Sequence, residues 1–265
     1  VTFDDVILNY NTYFVPANAY LVIVGDVNFK EVKKEVERLF GTWKKATAPQ
    51  LSYTSPKDVQ YSQINFIDTP NAVQSEIALV NLSNLKMTDK EYFSVLLANQ
   101  ILGGGGEGRL FLNLREKHGW TYGAYSSIGS GKYISKFRSS ASVRNTVTDS
   151  AVVEFFNELK RIKTDLVSEE DLRNAKAKYV GNFVMQIEKP STIAGYALNK
   201  ETQGLPEDFY ENYIKNINAV TAEDIKNAAN KYFLSDKTRV VIVGKAADVL
   251  PGLETMSKRE KLPIF

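Results

Sequence analysis

An internal repeat constrains this chain more than any other feature. Shifted by 219 positions, VTFDDVILNYNTYFVPANAYLVIVG (1–25) lies without a gap over VTAEDIKNAANKYFLSDKTRVVIVG (220–244), with 10 identities in 25 positions. Chance at average composition gives roughly one or two. Val1/Val220, Thr2/Thr221, Asp5/Asp224, Asn11/Asn230, Tyr13/Tyr232 and Phe14/Phe233 coincide, and then VIVG falls on VIVG. Both copies read alike: a threonine N-cap, a short amphipathic helix ending near a Tyr-Phe pair, a turn, and a buried β-branched strand. The recurrence of Tyr13-Phe14 and Tyr232-Phe233 at the same place predicts core packing for both pairs.

After the two copies, 20 residues run to Lys45 and 21 to Phe265. Residues 1–45 therefore read as the C-terminal tail of one α/β unit, and 59–265 as a complete second unit. Between them ATAPQLSYTSPKD (46–58) has the Pro, Ser and Thr content of a linker. The chain starts at Val1, without Met or a signal peptide. The expectation is the rear portion of a protein built from two homologous units.

Within the second unit, 60–67 and 75–82 read as strands, the latter apolar and central. TDKEYFSVLLANQIL (88–102) predicts a helix opened by a Thr88/Glu91 capping box, with Phe93, Leu96, Leu97 and Ile101 on one face. A second helix over 109–118 stops at Gly119, and strands 120–128 and 132–143 flank a Gly-Ser-Gly turn as a hairpin. Further helices are predicted near 148–163, 168–189, 191–203 and 206–217, then the repeat helix and the strand 240–244. The pattern predicts an α+β two-layer unit with helices packed on a largely antiparallel sheet, rather than a doubly wound parallel one.

Composition excludes several functions. Lys and Arg number 33 against 31 Asp and Glu, with no block of one sign, so neither nucleic acid nor an anionic membrane is advertised. No apolar run approaches the ~18 residues of a membrane span. With no cysteine and one histidine, His118, the chain can hold neither a thiolate metal site nor zinc on two or three imidazoles. His118 beside Lys117 reads as exposed and incidental.

Gly103, Gly105 and Gly108 satisfy G-x-G-x-x-G, but a helix rather than a strand precedes them, and 121–131 offers no acidic ribose ligand. Gly108-Arg109-Leu110 also lacks the Lys-Ser/Thr of a P-loop. A nucleotide site is thereby disfavoured. A helix C-cap and a flexible joint account for the glycines themselves.

The residues around and beyond the glycines carry a resemblance. Leu102-Gly103, Gly108-Arg109-Leu110-Phe111, Leu114-Arg115-Glu116-Lys117, Gly119 and Tyr122 are similar to a segment in the second domain of the insulinase/pitrilysin zinc metallopeptidases, which include the mitochondrial processing peptidases. YFVPANAYLVIVGDV (13–27) resembles the close of that family's first domain. The resemblance covers essentially the whole chain and implies the processing-peptidase-like (LuxS-like) fold.

It implies further that the inverted zinc motif His-x-x-Glu-His belongs to a missing N-terminal domain, so zinc is expected there and neither metal ligands nor catalytic residues are expected in this chain. The paired domains would form a chamber for a peptide or unfolded polypeptide. An Arg and a Tyr seven positions apart would contact that polypeptide, and Arg115 and Tyr122 match them in type and spacing. A guanidinium fork and a phenol hydroxyl suit a substrate carbonyl or the oxyanion that develops from it.

Bland alternatives stand beside this reading: Arg115 as a surface cation near a helix C-terminus, Tyr122 as a half-buried strand aromatic. The expected partner is the missing N-terminal unit or a homologous subunit. The alternative function is an inactive structural or partner subunit of the same family. Absence of cysteine and the resemblance are both compatible with a bacterial periplasm or envelope.

Overall fold

The structure is a computed structural model that describes residues 1–47 and 49–265; Ala48, inside the 46–58 stretch, lies outside the described residues. Contacts divide the chain into two units, Val1–Ser55 with Phe183–Gly204, and Pro56–Asn182 with Leu205–Phe265. In chain order the elements are α1 (Phe3–Tyr13), α2 (Phe29–Phe40), β1 (Gln63–Asp68), β2 (Gln74–Ser83), α3 (Tyr92–Gly103) and α4 (Arg109–Phe111). Then come β3 (Thr121–Ile128), β4 (Ser135–Arg144), α5 (Thr148–Thr164), α6 (Glu169–Ile187) and α7 (Pro190–Gln203). The chain closes with α8 (Tyr213–Ala219), α9 (Ala222–Tyr232), β5 (Arg239–Gly244) and α10 (Ala246–Glu260).

The larger unit is built on a five-stranded sheet ordered β1-β5-β2-β4-β3. Among the described strands three of the four pairings are antiparallel, and β1 pairs with β5 in parallel. This is the α+β layer that the sequence pattern predicts. At one side of the sheet the C-terminal residues add to β1: Ile64 N donates to the Pro263 carbonyl at 2.8 Å, and Phe265 N to the Ile64 carbonyl at 2.8 Å. At the other side β3 is the outer strand.

Apolar residues alternate along β2, β4 and β5 because successive side chains of a strand point to opposite faces, and the buried set meets the helices. Ile77, Leu79, Phe137, Val143, Val240 and Ile242 are buried there against Leu97, Ala98, Phe155 and Leu159 of α3 and α5. Phe137 and Phe233 stack with ring centroids 4.4 Å apart.

The repeat reappears as a shared capping box. Thr221 Oγ1 accepts from Asp224 N at 3.1 Å, and Thr221 N donates back to the Asp224 carboxylate at 2.9 Å. Thr2 and Asp5 do the same at 3.3 and 2.7 Å. Beyond the caps the copies part. β5 is an internal strand, whereas 20–25 forms no strand. Tyr232 and Phe233 are buried, as expected, but Phe14 is 60% exposed and Tyr13 only half-buried, which corrects the core assignment for the first pair. No described strand flanks the first VIVG, so its Tyr-Phe pair has no sheet to pack on.

Two local expectations also fail. No capping box forms at Thr88/Glu91: α3 starts at Tyr92, and Asp89 closes the preceding turn by accepting from Lys86 N at 2.9 Å. The core face of α3 is Val95, Ala98 and Leu102 together with Leu97 and Ile101; Phe93 and Leu96 are only partly buried. The helix is apolar nearly all round, so periodicity alone could not orient it.

Candidate functional site

The segment between α4 and β3 departs from regular geometry twice. Leu112–Lys117 winds as a π-turn rather than an α-helix. His118 N donates five residues back to the Asn113 carbonyl at 3.1 Å, and Gly119 N to the Arg115 carbonyl at 2.9 Å. Gly119 takes φ +62°, a value that glycine tolerates without the Cβ penalty, and so ends the helix where expected. Asn113 and Leu114 turn inward and are buried; Asn113 Nδ2 donates to Glu154 Oε2 at 2.7 Å and Glu158 Oε1 at 2.8 Å. Anchoring these two residues leaves Arg115 pointing outward.

The second departure lies at the start of β3. Thr121 pairs with Val143 and Ala124 with Ala141, so β3 carries one extra residue between them. Such a bulge re-aims side chains at a strand end, and Tyr122 sits in it. Thr121 Oγ1 donates to the Gly123 carbonyl at 2.9 Å and fixes the bulged peptide. π-turns and bulges concentrate at functional sites.

These two irregularities bring the predicted residues together. Arg115 Nη1 donates to the main-chain carbonyl of Tyr122 at 3.0 Å. The Arg115 guanidinium lies 4.8 Å from the centre of the Phe111 ring, and its Nε is 3.5 Å from Glu116 Oε1. Tyr122 is 86% exposed, so the half-buried strand aromatic is excluded as its description. The Arg115 side chain is 44% exposed and has N–H groups beyond those engaged by Tyr122 and Glu116. The result is a partly exposed cationic donor tied to the main chain of a residue whose own side chain is solvent-exposed.

The glycine run serves close packing. A Cβ on Gly103 would stand 2.4 Å from Ser126 N, and one on Gly108 would stand 2.8 Å from Gly103 Cα. α3 can therefore lie directly against β3, where Asn99 Nδ2 also donates to the Ser126 carbonyl at 3.3 Å. Within the run only Gly105 takes a left-handed φ, +137°. The Gly104 carbonyl accepts from Gln100 Nε2 at 3.0 Å and Lys178 Nζ at 3.2 Å, and Gly108 N donates to the Gly105 carbonyl at 3.0 Å. The first two bonds tie the loop back to α3 and α6, and α3, not the strand that a dinucleotide loop requires, precedes it.

Two residues carry more than the sequence disclosed. Arg109, inside the Gly-Arg-Leu-Phe motif, is 8% exposed and pairs with Asp171 of α6 at 3.3 Å. Asp171 is also a first-turn acid of α6 and donates its N–H to Ser168 Oγ at 3.0 Å. His118 is half-buried and stacks on Trp120 at 4.0 Å, which corrects its reading as exposed. Among the described residues no group of three or more His, Cys, Asp or Glu side chains is placed to hold a metal ion. No described helix is long and apolar enough to cross a membrane.

Residues 1–179 match the family described as the Peptidase M16 inactive domain. The chain belongs to that family. Among curated relatives, the "Probable inactive metalloprotease YmfF" of Bacillus subtilis is 25% identical over 231 residues, covering 87% of this chain and 53% of the relative. An "Uncharacterized zinc protease" of Rickettsia bellii is 29% identical over 241 residues, covering 85% and 53%. The chain thus spans about half the length of the curated relatives it matches.

Among solved structures, an M16 inactive domain from Pseudomonas fluorescens superposes with a TM-score of 0.82 at 23% identity, covering 92% of this chain and 57% of that one. A protease from Helicobacter pylori gives 0.83 at 20% identity, covering 92% and 59%. At these identities the superpositions establish the fold. In this M16 inactive domain the motif block 102–122 is therefore the helix end, π-turn and bulged strand described above.

Proposed function

We propose that this M16 inactive domain forms one wall of a peptide-binding chamber in a zinc-peptidase-type protein, and that Arg115 and Tyr122 grip an extended polypeptide there. One observation carries the reading: Arg115 is tied to the main-chain carbonyl of Tyr122 yet keeps further N–H donors, and Tyr122 itself is 86% exposed. Preorganised donors of this kind suit a main-chain carbonyl or the charge that develops on it during cleavage, and losing one typically costs ~3 kcal/mol of transition-state stabilisation.

The zinc and general base would lie in a region outside this chain, and residues 1–45 would close the first unit of the same protein. The repeat supports that assignment: its second copy, β5, is flanked by two strands, whereas its first copy has none among the described residues. In full-length, zinc-loaded protein, Arg115→Ala and Tyr122→Phe should each slow turnover of an unfolded polypeptide. Unchanged turnover in both variants would refute the site. The isolated chain should be inert, and any peptidase activity that survives a chelator defeats the assignment.

A second reading is an inactive structural or partner subunit, favoured by the relative named as an inactive metalloprotease. Reading the region upstream of Val1 for His-x-x-Glu-His separates the two.

A further inference from the structure

Arg115 has four rotatable side-chain bonds and would sample many rotamers if only one hydrogen bond held it. The Tyr122 carbonyl is that one bond, at Nη1. Under the guanidinium lies the half-buried ring of Phe111, 4.8 Å from Arg115 Cζ. Phe111 is in turn fixed from two further directions. Tyr125 of β3 meets it with ring centroids 6.0 Å apart, and Gly106 of the glycine run lies alongside, a Cβ there reaching 3.8 Å from the ring. The glycine run, the helix start and the sheet's outer strand thus converge on one ring, and that ring carries the cation.

We infer that Phe111 is the positioning residue of the Arg115 donor, its π face holding the guanidinium so that the N–H edge meets a polypeptide carbonyl. The inference rests on the peptide-gripping reading of Arg115 and deepens it. A cation–π contact fixes the plane of the guanidinium, while the Tyr122 carbonyl fixes its rotation within that plane. Glu116 Oε1 lies 3.5 Å from Nε as an ion pair. With face, one edge and Nε engaged, the free donor direction is set before a ligand arrives, and the ordering cost falls on folding rather than on binding.

The test uses the whole chain and a fluorescein-labelled, carboxymethylated α-lactalbumin as a permanently unfolded polypeptide. Phe111→Leu keeps an apolar side chain but removes the π face. It should raise the Kd about two- to fivefold, Phe111→Tyr should restore it, and Phe111→Leu should add nothing in an Arg115→Ala background. Additive losses, or no rescue by Tyr, would mean that Phe111 acts by packing alone and overturn the inference.

A second measurement is independent of binding. In the 1H–15N spectrum the Arg115 Nε–H should be shifted upfield by the ring, and Phe111→Leu should abolish that shift. If Arg115→Ala leaves affinity unchanged, the peptide-gripping reading fails, and this spectrum alone decides the inference. An Arg115 Nε–H unmoved by Phe111→Leu overturns it.

Discussion

Arg115 Nη1 and the Tyr122 carbonyl, 3.0 Å apart, tie the end of the π-turn to the bulge in β3 across Gly119. The bond needs a planar fork that can lie on Phe111 and donate sideways together. A lysine ammonium is a point charge on a flexible stem and does only one of these. Arg115→Lys is therefore expected to weaken binding of an unfolded polypeptide by about 1–2 kcal/mol, nearly as much as Arg115→Ala. Both variants should keep stability within about 0.5 kcal/mol, since the side chain is at the surface. Fluorescence anisotropy with a parallel urea titration checks this, and wild-type affinity in the lysine variant would mean that charge alone suffices.

Glycines here divide by their surroundings. Gly103→Ala would drive a Cβ to 2.4 Å from Ser126 N and 2.9 Å from Tyr125 C, both main-chain atoms that cannot step aside. α3 would have to lift from β3, at a cost of about 1–3 kcal/mol. Gly181, in α6, has nothing within 4 Å of its would-be Cβ, so Gly181→Ala should stabilise by about 0.5–1 kcal/mol. Urea midpoints of the two variants should move in opposite directions.

Tyr92 gives a pH signature. Burial pushes its phenol up to about 12 from 10.0, only partly offset by a hydrogen bond with Ser130. An unfolded tyrosine ionises first, so the stability that neutral Tyr92 contributes is complete below pH 10 and is lost as pH rises toward 12. The loss should be on the order of 2 kcal/mol. Tyr92→Phe should remove that share of the alkaline decline, measured as the difference in urea midpoint between the two proteins across this window. A constant difference would contradict the assignment.

Local signals in the sequence were faithful where the physics is local. Thr221, Ser168 and Gly119 cap helices as their types demand; β3 and β4 pair as expected, but through a longer loop over 129–134 rather than a turn at 129–131 alone. The parallel pairing of β1 with β5 joins residues 176 positions apart, from Gln63 to Arg239, and no local pattern announces it. Asn81 is another case. Its Nδ2 donates to the Tyr232 carbonyl at 3.0 Å and its Oδ1 accepts from Leu234 N at 3.1 Å, securing the end of α9 from inside β2. In the sequence it is one polar residue in an apolar strand. At the site, residue types and spacing pointed to Arg115 and Tyr122. The π-turn, the bulge and the Phe111 ring that join them depend on which residues are anchored inward, and that is decided by α5 and β4.

The repeated capping box makes one substitution a probe of two environments. Thr221→Ala removes the acceptor for Asp224 N and the donor to its carboxylate, and α9 packs Ile225, Ala228 and Ala229 into the core. The expected cost is about 1 kcal/mol to the unfolding of the larger unit. The side-chain and main-chain hydrogen bonds from Thr221 hold the Asp224 carboxyl below its ordinary value. The carboxylate-dependent part of the box is fully present above that ordinary value and is lost as pH falls through the depressed one. The difference between wild type and variant should therefore narrow in acid without vanishing, since the Asp224 N bond does not titrate. Thr2→Ala breaks the same bonds with Asp5, but α1 buries no residue, and the larger unit's transition should not move. Urea titrations followed by tryptophan fluorescence in a Trp43→Phe background, where Trp120 of the larger unit is the remaining tryptophan, discriminate. Equal losses from Thr2→Ala and Thr221→Ala would mean that the two copies stabilise one common core, contrary to their difference in burial.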